Sequence, residues 1–198
     1  MPDQSHAHQA TASVEQRVAA IEAAFDDRGM KPRESVEEFQ RLADEQWVPQ
    51  NGARVVARAW TDPAFRQRLL ANGREAVLEL GISMPAHHRH LVVLENTPTL
   101  QNVIVCTLCS CTAFTVIGLP PDWYKDLEYR ARAVRQSRTV LREMGLDLPP
   151  EIEIRVWDTT ADTRYMVLPV QPPETVGWLE EKLAGIVSQD SMIGVARL

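Results

Sequence analysis

An α+β fold, with a helical N-terminal arm followed by a layered α/β domain of mostly antiparallel strands, is what this sequence predicts. Three observations carry the prediction. Apolar residues recur at helical spacing behind start signals across residues 13–81. Runs rich in β-branched residues begin only after residue 82. A long helical segment at 122–145 separates two groups of those runs, so helices and strands share the domain at 82–198.

Residues 1–12 are polar and small and read as a flexible tail. Ser13 with Gln16 makes a capping-box pattern, and Val14, Val18, Ile21 and Phe25 follow at helical spacing until Gly29. Ser35 and Glu38 repeat the signal ahead of Val36, Phe39 and Leu42. RVVARAW (54–60) reads as helix, and Thr61-Asp62-Pro63 as a cap with proline in the first turn, leading to Leu69 and Leu70. REAVLEL (74–80) is a short helix that stops at Gly81. Short amphipathic helices joined by linkers bury little on their own chain. The arm therefore either packs back on the domain or wraps a partner subunit, and we expect partner contact.

After residue 82 the pattern changes. LVVLENT (91–97) and VIV (103–105) read as strands. IEIRVWDT (152–159) and TRYMVLPV (163–170) read as a hairpin around Thr160-Ala161-Asp162. In the first of these, Ile152, Ile154 and Val156 alternate with Glu153, Arg155 and Trp157, the period of a half-buried strand. The helical segment at 122–145 closes at Gly145, and residues 175–187 predict one more short helix.

Composition narrows the function. With 198 residues and 44% hydrophobic content the chain can build a real core. A formal net charge of -6 argues against nucleic acid, which selects a basic surface. Residues 97–121 carry no charge, but Thr, Ser, Gln, Asn and Pro interrupt the run, so it does not read as a membrane span. The N-terminus shows no apolar core of a secretory signal, which makes the cytoplasm the expected location. Thiols stay reduced there, and close cysteines point to metal or redox chemistry.

All three cysteines, Cys106, Cys109 and Cys111, fall in VCTLCSC (105–111). Buried structural cysteine explains one or two thiols better than three in one short loop. A Cys106–Cys109 disulfide leaves Cys111 without a role. Structural zinc and iron–sulfur clusters want four ligands. A zinc site of three cysteines plus one of His87, His88 or His90 stays open as a non-catalytic interaction module. The spacing fits another geometry better. Cys109 and Cys111 flank the single residue Ser110, so two thiolates and the intervening amide nitrogens can share a plane, with Cys106 reaching from below. Five donors leave one octahedral position open, which marks a catalytic metal.

VCTLCSCT (105–112), with ENTPTLQN (95–102), GLPPDWYKDLEYRARAV (118–134), VWDTTADTRYMVLP (156–169) and the ending IGVARL, resembles the α subunit of nitrile hydratases from about Asn51 onward. The resemblance implies an α-β-β-α layered fold and hydration of a nitrile to the amide at a low-spin Co(III) or Fe(III) ion. It assigns Cys106 as the axial thiolate. Cys109 and Cys111 become equatorial ligands, as sulfinate and sulfenate, and the backbone nitrogens of Ser110 and Cys111 complete the plane. Cys111 and Ser110 are the implied catalytic residues, with Cys106, Cys109, Ser110 and Cys111 as the metal set. Thr107 stands where the cobalt enzymes have Thr and the iron enzymes Ser, so the resemblance points to cobalt. It also implies a β-type partner that supplies arginines to the oxidised cysteines, and a cobalt-loading helper protein.

Two positions depart from the family pattern. Phe114 stands where a pocket Trp is usual, and His87 where a Gln is usual. Both are candidate pocket residues, and they suggest a bulky nitrile such as the cyano-nucleoside of the toyocamycin branch. The thiocyanate hydrolase γ subunit, with a similar cysteine loop, is the alternative.

Overall fold

The computed structural model describes residues 12–109 and 111–198, so residues 1–11 of the expected tail and Ser110 lie outside the described residues. The chain divides into two compact units between Leu42 and Ala43.

The first unit holds α1 (Val14–Asp26) and most of α2 (Pro32–Glu45). The capping box forms as the sequence predicts: Gln16 N donates to Ser13 Oγ at 3.3 Å, and Ser13 N donates to Gln16 Oε1 at 3.0 Å. α2 begins four residues before the predicted start at Val36, because Pro32 already holds the helical φ of a first-turn residue. Ser35 is therefore interior and returns its hydroxyl to the Lys31 carbonyl at 3.0 Å. Neither helix buries a residue, and Val18, Ile21, Val36 and Phe39 stay exposed.

The second unit contains α3 (Pro49–Thr61), α4 (Pro63–Ala71), α5 (Gly73–Leu78), β1 (His90–Glu95), β2 (Leu100–Val105), α6 (Phe114–Ile117), α7 (Asp122–Lys125), α8 (Leu127–Arg135), α9 (Ser137–Glu143), β3 (Glu153–Asp158), β4 (Thr163–Leu168), α10 (Glu180–Ala184) and α11 (Gln189–Ile193). Asp62 caps α4 by accepting from Ala64 N and Phe65 N, both at 2.9 Å, with Pro63 in the first turn. The helices at 49–78, read from sequence as part of the arm, are built into this unit. Val55, Val56, Phe65, Leu69 and Val77 join the same buried cluster as Val103, Ile104, Met166 and Leu168. The predicted helix at 122–145 is three helices, broken where Asp126 caps α8 and where Gln136 leaves helical geometry.

The strands overturn the antiparallel expectation. β1 pairs with β4 and β2 with β3, both in parallel, and β3 and β4 do not form a hairpin. Parallel partners need a long crossover, and the helices between β2 and β3 provide it. Strands covered on both faces read as continuous apolar runs, and β2 is buried from Gln101 to Val105. The register sets Val105 opposite Asp158, so the segments leaving β2 and β3 emerge side by side. Gly194 ends α11 at φ +96, and a Cβ there would lie 2.0 Å from the Asn102 carbonyl oxygen. Only glycine lets α11 approach β2 this closely.

Candidate metal centre

The cysteines leave the carboxyl end of β2, the end of a parallel ladder where sites commonly form. Cys106 is buried, Cys111 is half-buried and Cys109 is exposed. Their sulfurs all lie within 4.8 Å of one another, with Cys106 Sγ to Cys109 Sγ at 3.1 Å and Cys109 Sγ to Cys111 Sγ at 2.7 Å. The loop curls around Cys106, whose sulfur accepts the Cys109 N–H at 3.3 Å. Among the described residues no histidine nitrogen belongs to this group, so a zinc site completed by His87, His88 or His90 is not preassembled here.

Neighbouring elements hold the loop. Thr107 donates its N–H to Asp158 Oδ1 at 3.0 Å and its hydroxyl to Oδ2 of the same carboxylate. The Tyr124 hydroxyl of α7 and the Thr159 hydroxyl donate to the Cys111 carbonyl at 3.3 and 3.5 Å. Arg130 of α8 donates Nη1 to the Cys109 carbonyl at 2.8 Å. Sequence reading missed Asp158, Thr159, Tyr124 and Arg130. A parallel β2–β3 pairing is the signal that finds the first two, because it carries the end of VWDTT to the cysteine loop.

The thiols are strongly biased. Burial pushes the Cys106 thiol up, but hydrogen bonds from Thr159, Cys109 and two backbone N–H groups outweigh it and leave about 7. Burial and then the Cys109 thiol push Cys111 up to about 12, with Arg164 opposing. Three thiolates this close repel one another, so a cation is what lets them ionise together. The donor set thus fits a metal that takes thiolate ligands.

The two candidate pocket residues sit at one place. Phe114 opens α6 and meets Trp47 edge-on at 4.7 Å and His88 at 5.2 Å between ring centroids. His87 is exposed and stacks edge-on against His88 at 4.4 Å. His88, 1% exposed, is the ring between them, and its Nδ1 finds no partner. Burial first, then the charges of Arg164, His87 and Arg74, press its pKa down to about 4, so it stays neutral near pH 7.

Residues 12–196 match the family model for the nitrile hydratase alpha chain. The low-molecular weight cobalt-containing nitrile hydratase subunit alpha of Rhodococcus rhodochrous is 47% identical over 180 residues, 91% of this chain and 86% of its own. The thiocyanate hydrolase subunit gamma of Thiobacillus thioparus is 44% identical over 158 residues, covering 75% of this chain and 65% of its own. In structure, a double mutant of the Fe-type nitrile hydratase from Comamonas testosteroni Ni1 superposes with a TM-score of 0.88. It is 56% identical, over 96% of this chain and 92% of that one. A family match across nearly the whole chain, on a fold that gathers three sulfurs at one strand end, places this protein in the nitrile hydratase alpha-chain family.

Proposed function

We propose that this chain is the metal-binding subunit of a hetero-oligomeric nitrile hydratase that adds water to a nitrile to give the amide. The convergence of Cys106, Cys109 and Cys111 within 4.8 Å carries the reading. Cys106, Cys109 and Cys111 would hold the metal through sulfur, with the backbone nitrogens of Ser110 and Cys111 completing the ligand set. A trivalent ion bound there supplies Lewis acidity toward nitrile or water. Cys111, as sulfenate, contributes its oxygen as nucleophile or base, and Cys109 is the sulfinate. The β-type partner supplies arginines to these oxygens, which accept strong charge-assisted hydrogen bonds. The exposed apolar residues of α1 and α2 support a partner-contacting role for the arm. No helix among the described residues is long and apolar enough to cross a membrane. Cysteines left free to bind metal, with no disulfide formed, suit a compartment where disulfides are rare, and we place the enzyme in the cytoplasm.

Cobalt is the proposed metal, on Thr107 and on the cobalt-containing relative from Rhodococcus. Iron has its own support, because the Comamonas relative, 56% identical, is Fe-type. For the substrate, Phe114 and His87 favour a bulky nitrile, while the 44% identity to a thiocyanate hydrolase subunit supports thiocyanate as a second reading. Co-production with the β-type partner and a cobalt-loading helper, then assay with a small nitrile, a cyano-nucleoside and thiocyanate, tests this. Amide formation from either nitrile supports hydration. Turnover of thiocyanate alone, or of none of the three, contradicts it.

A further inference from the structure

Among the described residues, Arg130 is the arginine hydrogen-bonded to the cysteine loop, and it has no carboxylate partner there. Its neighbour on α8, Arg132, differs in this respect: Glu128 at 3.1 Å and Glu143 at 2.7 Å neutralise it. Arg130 gives Nη1 to the Cys109 carbonyl at 2.8 Å, and its Nε is buried without an acceptor. The nearby carboxylate of Asp158 already accepts from Thr107 with both oxygens.

A neutral donor is enough to anchor a carbonyl. A guanidinium adds a full charge, and a buried N–H without a partner in the protein adds a desolvation cost. The loop can supply the missing negative charge, because cysteines ligate metal as thiolates and three of them outweigh a divalent cation. A hydrogen bond from an ionised donor is also about twice as strong as a neutral one.

We propose that Arg130 is a charge-compensating positioning residue of the cysteine loop, holding the Cys109 carbonyl while offsetting the negative charge that the three sulfurs gather around a cation. Arg130 touches neither substrate nor metal in this role. The inference rests on the reading of the loop as a metal centre. It also means that part of the positive charge beside the cysteine loop belongs to this chain.

The test is anaerobic titration of the reduced, metal-free full-length chain with Co(II) against a competing chelator, for wild type, Arg130→Gln, Arg130→Lys and Arg132→Gln. Arg130→Gln keeps a donor without charge and should bind Co(II) about 10- to 100-fold more weakly, the usual effect of removing a group that supports metal ligands. Arg130→Lys keeps the charge and should retain most of the affinity, while Arg132→Gln should match wild type. Equal affinity in Arg130→Gln and wild type overturns the proposal. A loss in Arg130→Lys as large as in Arg130→Gln also overturns it, leaving a purely geometric anchor. Melting of the metal-free proteins checks folding, and should Arg130→Gln fail to fold, Arg130→Met, which also removes the charge, takes its place with the same expected loss. A wild-type chain that takes up no Co(II) brings down the metal-centre reading itself, a result distinct from either of these.

Discussion

Asp158 links the fold to the chemistry through one carboxylate, which takes both the N–H and the hydroxyl of Thr107 between the first two cysteines. Removing it in Asp158→Ala frees the loop while leaving the buried cluster intact. The expected result is a 10- to 100-fold loss in metal affinity with a much smaller change in melting temperature, read by chelator competition and calorimetry. His88 makes a prediction about acid. Its pKa is pressed from 6.5 to about 4 in the folded chain, so the unfolded chain takes up its proton first as pH falls. Stability then drops through the window from about 6.5 to about 4, by on the order of 3 kcal/mol in total. Melting at stepped pH should show a shallower acid slope for His88→Gln than for wild type, and parallel slopes would refute the assignment. Phe114, against Trp47 and His88, is proposed to shape the pocket. Phe114→Ala should move the kcat/KM ratio about tenfold toward a bulky nitrile over a small one, as measured with paired substrates.

At the scale of elements, local signals were legible and long-range pairing was not. Ser13 with Gln16 and Asp62 with Pro63 act within four residues, and the structure keeps both caps. The strands themselves were also readable from β-branched runs. Their partners were not, because alternation in Ile152, Ile154 and Val156 suggests a half-exposed hairpin, whereas β3 pairs in parallel across four intervening helices. That error hid Asp158 and Thr159 from the site. The cysteine loop needed no such pairing, since its three thiols sit within six residues of sequence. Close packing of α11 on β2 was likewise invisible beforehand. Gly194→Ala should destabilise the chain by roughly 3 kcal/mol or more, since a Cβ there meets the Asn102 carbonyl and the backbone is left-handed. Denaturant unfolding reads this directly, and a near-neutral change would mean that α11 is free to move away.

At the scale of the whole molecule, a unit that gathers three cysteine sulfurs at one strand end is joined to two helices with exposed apolar residues, a combination that supports the proposed role as one subunit of a larger enzyme. Family membership covers residues 12–196, arm included. Cys106, Cys109 and Cys111 are proposed to form a catalytic metal centre for nitrile hydration. Metal analysis of the active complex with its β-type partner, joined to mass spectrometry of the cysteine peptide, tests it most directly. The expected result is stoichiometric cobalt with sulfinate at Cys109 and sulfenate at Cys111. Stoichiometric zinc on three unmodified thiols in a complex that hydrates nitriles would contradict it.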